Sequence, residues 1–400
     1  MLTFIMPHEI LQYANYELFW NGQSLYQWVN KWKNSGKEFP VYVYSRKILA
    51  ERFRAFQGAF PQAKIHFAMK SNHWSPLLKE LQQMGSQVDV VSFGEAQAAM
   101  AAGFKPEQIL FSGVGKTRKE LQAAVQAGVY QINIEGEDEF QRLVDIKQNI
   151  RIGFRWTPGL DAQTHPFIKT GHEDTKFGMG EELLRSLVKE SSKYPHLHLQ
   201  GLSMHLGSQI QEMSDFEQGY QLFYDLIKSL DTPFINVDLG GGLGINYHSQ
   251  NVQEDFERLE SYKRVVDKIW GQEKYLLLFE PGRFISARAG GLITEVQALK
   301  KTPEKTIVVV DAGMHQLIRP VLYEAFHGIF PLKKRGESKV VDVVGPICES
   351  SDFLALDRPL EVPQVGDHLW IADTGAYGSS MSSRYNLRPE AEEVFIEEFS

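Results

Sequence analysis

Two hydrophobic rhythms alternate along the chain. Short apolar runs of strand character stand at IHFAMK (65–70), QVDVVS (87–92), QILFSG (108–113), YQINIE (130–135), RIGFRW (151–156), LQGLSMH (199–205), FINVDLG (234–240) and YLLLFE (275–280). Between most of them apolar residues fall at helical spacing, as in GEAQAAMAAG and TRKELQAAVQAG, closed by Gly103 and Gly128 as helices commonly are. Eight such alternations predict a (β/α)8 TIM barrel. A further β-rich run, FPVYVYS (39–45), and a helical pattern over 46–60 precede the first of them.

After Arg283 the rhythm changes. ITEVQALKK, TIVVVDAG, KVVDVVG and DHLWIADTG read as β-runs with short connections, which predicts a C-terminal β-barrel or β-sandwich domain. The aromatic-rich N-terminal segment has no βα partner and is assigned to that domain. The expected division is residues 1–40 packed with the β-domain, a barrel over 41–285, and the β-domain over 286–400.

Composition narrows the class. Four hundred residues with 43% hydrophobic content can bury a large core. A net charge of -8 carries no basic footprint for nucleic acid. MLTFIMPHEI lacks the pattern of a signal peptide, and no apolar run approaches a membrane span. A soluble, cytoplasmic chain working on a small molecule is expected, with neither nucleic acid nor membrane as partner. Cys348 is the only cysteine, so it acts as a thiol or is buried and inert.

The candidate chemistry lies at the strand ends. Lys70 closes IHFAMK, and the carboxyl ends of barrel strands are where ligands gather. A partly desolvated amine there can form a Schiff base; equally, it can cap the strand and point into water. Gly240-Gly241-Gly242-Leu243-Gly244 follows FINVDL and lets backbone N–H groups approach an anion, though such runs also make plain turns. Its spacing is not the dinucleotide fingerprint. The last strand ends in Glu280-Pro281-Gly282-Arg283: a carboxylate suited to a protonated ring nitrogen and an arginine suited to a carboxylate, or else a salt bridge at the barrel mouth. An amine, a phosphate cradle and a carboxylate for a ring nitrogen are together what pyridoxal 5'-phosphate requires.

At this point the sequence resembles a known family. FAMKSN, HLGSQ (205–209), DLGGGLGI (238–245), EPGR, DAGMHQLIRPVLYEAFH (311–327), GPICESSDFLA (345–355) and GAYGSSMSSRYN (375–386) together resemble the bacterial diaminopimelate decarboxylases, alanine-racemase-like (fold-type III) pyridoxal-phosphate enzymes with a βα barrel and a C-terminal β-domain. The resemblance implies that Lys70 is the Schiff-base lysine, with Asp89 and Glu95 beside it. It places His205 flat against the pyridine ring, Arg155 near the cofactor, and Glu280 on the ring nitrogen, with Pro281, Gly282 and Arg283 in the same turn. Ser208, Gly240, Gly241, Gly242 and Tyr377 would hold the phosphate. For the substrate, meso-diaminopimelate, Arg283 and Arg319 suit the distal carboxylate, Glu349 the ammonium, and Tyr323 and Tyr377 further contacts. Cys348 would return a proton to the α-carbon, reaching with Glu349 across a homodimer interface. The segment THPFIKTGHEDTKFGM (164–179) resembles the loop that closes over such sites, and no metal is implied. Trp156-Thr157-Pro158, Gly136 and Ser351 depart from the family's usual residues. The alternatives are another decarboxylase of this fold, acting on carboxynorspermidine, ornithine, lysine or a siderophore intermediate, and a regulator without cofactor.

Overall fold

The computed structural model describes residues 10–159 and 175–399. The chain forms two compact units, one made of the residues up to Arg52 with Asn246–Phe256 and Ile285–Ser400, the other of Phe53–Ile245 with Glu257–Phe284.

The first unit begins with a small antiparallel sheet, β1 (Leu11–Ala14), β2 (Glu17–Trp20) and β3 (Gln23–Ser24). A helix over Leu25–Asn34 follows, started by Ser24 Oγ accepting the Gln27 N–H and burying Leu25, Trp28, Val29 and Trp32 along one stripe. Then comes β4 (Val41–Tyr44), all four of whose side chains are buried.

The second unit is the barrel. β5 (Lys64–Ala68), β6 (Gln87–Val90), β7 (Ile109–Phe111), β8 (Gln131–Ile134), β9 (Ile150–Trp156), β10 (Leu197–Met204), β11 (Asn236–Asp238) and β12 (Leu276–Phe279) pair in parallel in chain order, and β12 closes on β5. These are the eight runs read from the sequence, most cut short at the carboxyl end, with β5, β9 and β10 beginning one or two residues earlier. The trimming has a local cause. Ser71 Oγ donates to Ala68 O at 2.7 Å and the Asn72 N–H to Met69 O at 3.0 Å, so Met69–Ser71 turns in a 3-10 helix. Lys70 therefore stands on a turn just beyond the strand rather than in it. Helices Phe93–Ala101 and Arg118–Ala127 start on the side chains of Ser92 and Thr117, and the second ends on Gly128 at φ +78°.

The remaining strands belong to the first unit: β13 (Gly290–Lys301), β14 (Thr306–Val310), β15 (Ile329–Pro331), β16 (Ser338–Val344), β17 (Phe353–Glu361), β18 (His368–Ile371) and β19 (Glu392–Phe395). Their sheet runs β15-β18-β13-β14-β16-β17, with β4 lying between β13 and β19. This corrects the expected barrel span of 41–285 at two places. The Val41 strand pairs in this sheet, where Tyr44 donates from its hydroxyl to Glu393 Oε2 at 2.6 Å. Asn246–Phe256 also joins this unit, because Asp255 Oδ2 takes Arg288 Nε at 2.9 Å and Arg52 Nη1 at 3.1 Å, while Arg288 Nη1 reaches Asp373 Oδ2 at 3.0 Å, all in the dry interior. The N-terminal sheet is tied to the same unit by Leu18 N–H to Leu332 O, 2.9 Å, and by Trp20 against Trp370, ring centroids 4.8 Å apart. None of the described helices is long and apolar enough to cross a membrane.

Candidate active site

Each barrel strand hands its polar residue to the same end. Lys70 follows β5, Asp89 lies in β6, Ser112 follows β7, Asn133 lies in β8, Arg155 in β9, His205 follows β10, Asp238 ends β11 and Glu280 follows β12. In a parallel barrel all these positions are carboxyl ends or close to them, so closure alone gathers them.

Three carboxyl groups crowd there. Asp89 and Asp238 are 1% and 0% exposed, and Glu280 is 9% exposed. Burial first, and then the negative charge of Glu280, push both aspartates well above the usual carboxylate range. The Lys70 charge pulls Asp89 the other way, which places the amine beside it. The Ser112 hydroxyl also lowers the Asp89 pKa, against the larger effect of burial. Glu95, whose carboxylate accepts the Val91 N–H at 2.8 Å, is also raised, by burial, with Lys70 again opposing.

His205 Nδ1 accepts the Gly241 N–H at 3.1 Å. The surrounding low-dielectric packing, with the charges of Lys70 and Arg155, drives the imidazole pKa well below the usual histidine value, so the ring is neutral. The expected role of the Gly241 N–H toward a phosphate is thus already taken by a histidine. Gly240 donates to Asp238 Oδ1 at 3.0 Å. Ser208 Oγ accepts from Arg283 Nη2 at 3.0 Å, so its own proton remains available to donate.

Arg155 pairs with a residue not foreseen from the sequence. Its Nη1 lies 2.9 Å from Glu135 Oε1, which also accepts the Gly113 N–H at 3.1 Å, while Glu135 Oε2 accepts the Gly178 N–H at 2.7 Å. Burial opposes ionisation of Glu135, but Arg155 and Lys116 outweigh it and hold the carboxyl below its ordinary value. Ser112, Asn133 and Asp238 were likewise unforeseen. Their signal was weak, single polar residues inside or just after apolar runs.

The remaining expected residues lie in the other unit. Arg319 begins the helix Arg319–Tyr323, so Tyr323 closes the same short helix. Arg319 Nη1 stands 2.6 Å from His327 Nε2, and its guanidinium lies 4.7 Å from the Tyr247 ring centroid. Cys348 is exposed and its N–H donates to Asn386 Oδ1 at 2.9 Å, while Glu349 accepts from the Tyr385 hydroxyl. Tyr377 adopts φ +58°. Of the segment expected to close over the site, residues 164–174 lie outside the described residues.

Pyridoxal phosphate fits the barrel end. The Lys70 amine faces the buried Asp89 carboxyl, and the Glu280 carboxyl stands near both for a ring nitrogen. The glycine run brings the backbone close to its neighbours: a Cβ on Gly241 would run into Glu280 O, and Gly242 sits at φ +104°, so its N–H groups can approach an anion as no side-chain-bearing run could.

Residues 46–287 match the pyridoxal-dependent decarboxylase family, pyridoxal binding domain. Diaminopimelate decarboxylase of Aquifex aeolicus is 40% identical over 97% of this chain and 92% of its own length. The chain belongs to the diaminopimelate decarboxylase family. Its Vibrio cholerae member is also 40% identical, over 90% of this chain and 87% of that one. The solved Helicobacter pylori diaminopimelate decarboxylase complexed with L-lysine matches with a TM-score of 0.86 at 34% identity, covering 92% of this chain and 93% of that one. The eight-stranded barrel with a second β-rich unit is therefore the family fold.

Proposed function

We propose that the protein removes carbon dioxide from meso-2,6-diaminopimelate and leaves L-lysine, the last step of lysine biosynthesis, as a cytoplasmic homodimer. The observation that carries this reading is the gathering of Lys70, Asp89, His205 and Glu280 at one end of the barrel, in a chain 40% identical along 97% of its length to the A. aeolicus diaminopimelate decarboxylase.

Bound pyridoxal phosphate supplies an aldehyde for amines and a ring that draws electrons from the carbon losing carbon dioxide. Lys70 is the amine that would hold the aldehyde. Asp89 and Glu95, both shifted toward their protonated forms, stand ready to exchange protons with it. Glu280 holds the proton on the ring nitrogen. His205, kept neutral, offers a flat face without placing a cation against the ring. Ser208 Oγ–H, the Gly242 N–H and the Tyr377 phenol would hold the phosphate, while Gly241 orients the histidine.

At the far end of the substrate, Arg283 and Arg319 take the carboxylate through their two-pronged donor faces, Glu349 the ammonium, and Tyr323 adds a hydroxyl. Cys348 of a second subunit, with Glu349 beside it, returns a proton to the α-carbon. A thiol suits that step because it titrates near neutral pH. Purified protein given pyridoxal phosphate and meso-diaminopimelate should release carbon dioxide and L-lysine in equal amounts; formation of neither product would overturn the proposal.

A further inference from the structure

The barrel interior contains a row of side chains that neither the expected cofactor contacts nor the substrate contacts use. At its lower end Asn236 Nδ2 donates to Gln131 Oε1 at 2.9 Å. Gln131 Nε2 donates to Asn133 Oδ1 at 2.8 Å. Asn133 Nδ2 reaches Ser112 Oγ at 3.2 Å and Asp238 Oδ2 at 3.3 Å. Ser112 Oγ in turn lies 3.4 Å from Glu280 Oε1. Asn236, Gln131 and Asn133 are at most 1% exposed, and Ser112 is 6% exposed.

The row has a direction. Asn236 starts it as a donor, and Gln131 and Asn133 each accept on the amide oxygen from the residue below and donate from the nitrogen to the residue above. Ser112 takes the Asn133 N–H on its oxygen, and its single proton points onward. Such chains polarise in series, so the last donor is stronger than an isolated hydroxyl.

The neighbouring strands are cut to fit. A Cβ on Gly153 would meet Gln131 Nε2 at 2.5 Å and Asn133 Oδ1 at 2.6 Å, and one on Gly201 would collide with the Asn236 side chain. Glycine on β9 and β10 thus makes the space in which the amides line up.

We propose that Asn236, Gln131, Asn133 and Ser112 form a one-way hydrogen-bond chain that delivers a hydroxyl proton to Glu280, making Ser112 the positioning residue that keeps the negative charge on this carboxylate. The chemistry requires a decision among three acids. Burial and the Glu280 charge oppose ionisation of Asp89 and Asp238, and only the acid facing the ring nitrogen is useful as an anion. A donated hydrogen bond favours the charged form of its acceptor. Both aspartates are raised by burial and by the Glu280 charge. The Ser112 hydroxyl is also within reach of Asp89, where its hydrogen bond opposes the rise, but burial and the Glu280 charge still push that carboxyl up, and the Ser112 oxygen stands 3.4 Å from Glu280 Oε1.

The inference rests on the reading of Glu280 as the partner of the ring nitrogen, so the test separates the two. Holoenzyme of Ser112→Ala is compared with wild type, Ser112→Thr and Glu280→Gln for kcat and KM with meso-diaminopimelate. Each apoenzyme is titrated with pyridoxal phosphate by its visible absorption. A hydrogen bond to a charged group contributes about 1.5 to 3 kcal/mol, so Ser112→Ala should lose roughly tenfold or more in kcat and in cofactor affinity. Its KM should stay unchanged, and Ser112→Thr, which restores the hydroxyl, should recover both. Gly153→Ala, which keeps every donor but crowds the middle of the row, should lower kcat in the same way. Wild-type kcat and affinity in Ser112→Ala, or no recovery in Ser112→Thr, would overturn the hydrogen-bond chain. Wild-type behaviour of Glu280→Gln would instead overturn the reading on which it rests.

Discussion

The Gly241 N–H donates to His205 Nδ1 across 3.1 Å, which fixes the imidazole with its lone pair on that nitrogen. The glycine run is therefore a histidine support as well as an anion cradle. An alanine at 241 would drive its Cβ into the Glu280 carbonyl oxygen, a backbone atom that cannot swing aside. Forcing such a contact costs about 1 to 3 kcal/mol, and every 1.4 kcal/mol is tenfold in affinity. Gly241→Ala should thus weaken pyridoxal phosphate binding by about tenfold or more when the apoenzyme is titrated; an unchanged affinity would contradict the packing described.

Lys70 stands one turn beyond β5, beside Asp89 and Glu95. If its amine holds the cofactor, Lys70→Ala should show no steady-state decarboxylation and no visible absorption of a protein-linked aldehyde. Appreciable turnover by this variant would remove the lysine from the mechanism.

Cys348 and Glu349 are exposed on the β-rich unit. Their proposed work across a subunit interface predicts complementation. Inactive Lys70→Ala and Cys348→Ala chains, mixed under conditions in which subunits exchange, should recover part of the activity, since one of the two sites in a heterodimer is intact. Proven exchange without recovery would place both residues in the site of their own chain.

His66 lies inside the barrel at 0% exposure, and burial, followed by the Lys64 charge, lowers its pKa to about 3. The unfolded chain takes up a proton near pH 6.5, whereas the native one does not until about pH 3. Between these values the unfolded state binds more protons, so stability falls as the pH falls, by roughly 1.4 kcal/mol per unit from this residue. His66→Leu should show a smaller drop in Tm between pH 7.5 and pH 5.5 than wild type. An equal drop would mean that His66 is not neutral in the native state.

Much of this is legible in the sequence alone. The eight barrel strands read as continuous apolar runs because parallel strands are buried on both faces. The same property hid β4, since VYVY is buried on both faces in the other sheet too and nothing local tells one sheet from another. The buried charges of Arg52, Asp255, Arg288 and Asp373 come from four separate stretches, so the assignment of Asn246–Phe256 could not be read from any one of them. In the site, Lys70 and Glu280 were visible as charged residues at the ends of apolar runs. Asn133 and Ser112 were not, because their partners Asp238 and Glu280 lie 105 and 168 residues away and meet them only when the barrel closes.

The choice of substrate decides between the members of this fold. Initial rates of carbon dioxide release should be measured for the holoenzyme with meso-diaminopimelate, carboxynorspermidine, ornithine and lysine at equal concentrations. Two arginines and an acidic contact suit a molecule with an amino-acid group at each end, so release should be fastest by far from meso-diaminopimelate, with L-lysine as the other product. No turnover of meso-diaminopimelate, or faster turnover of any of the other three, would contradict the account.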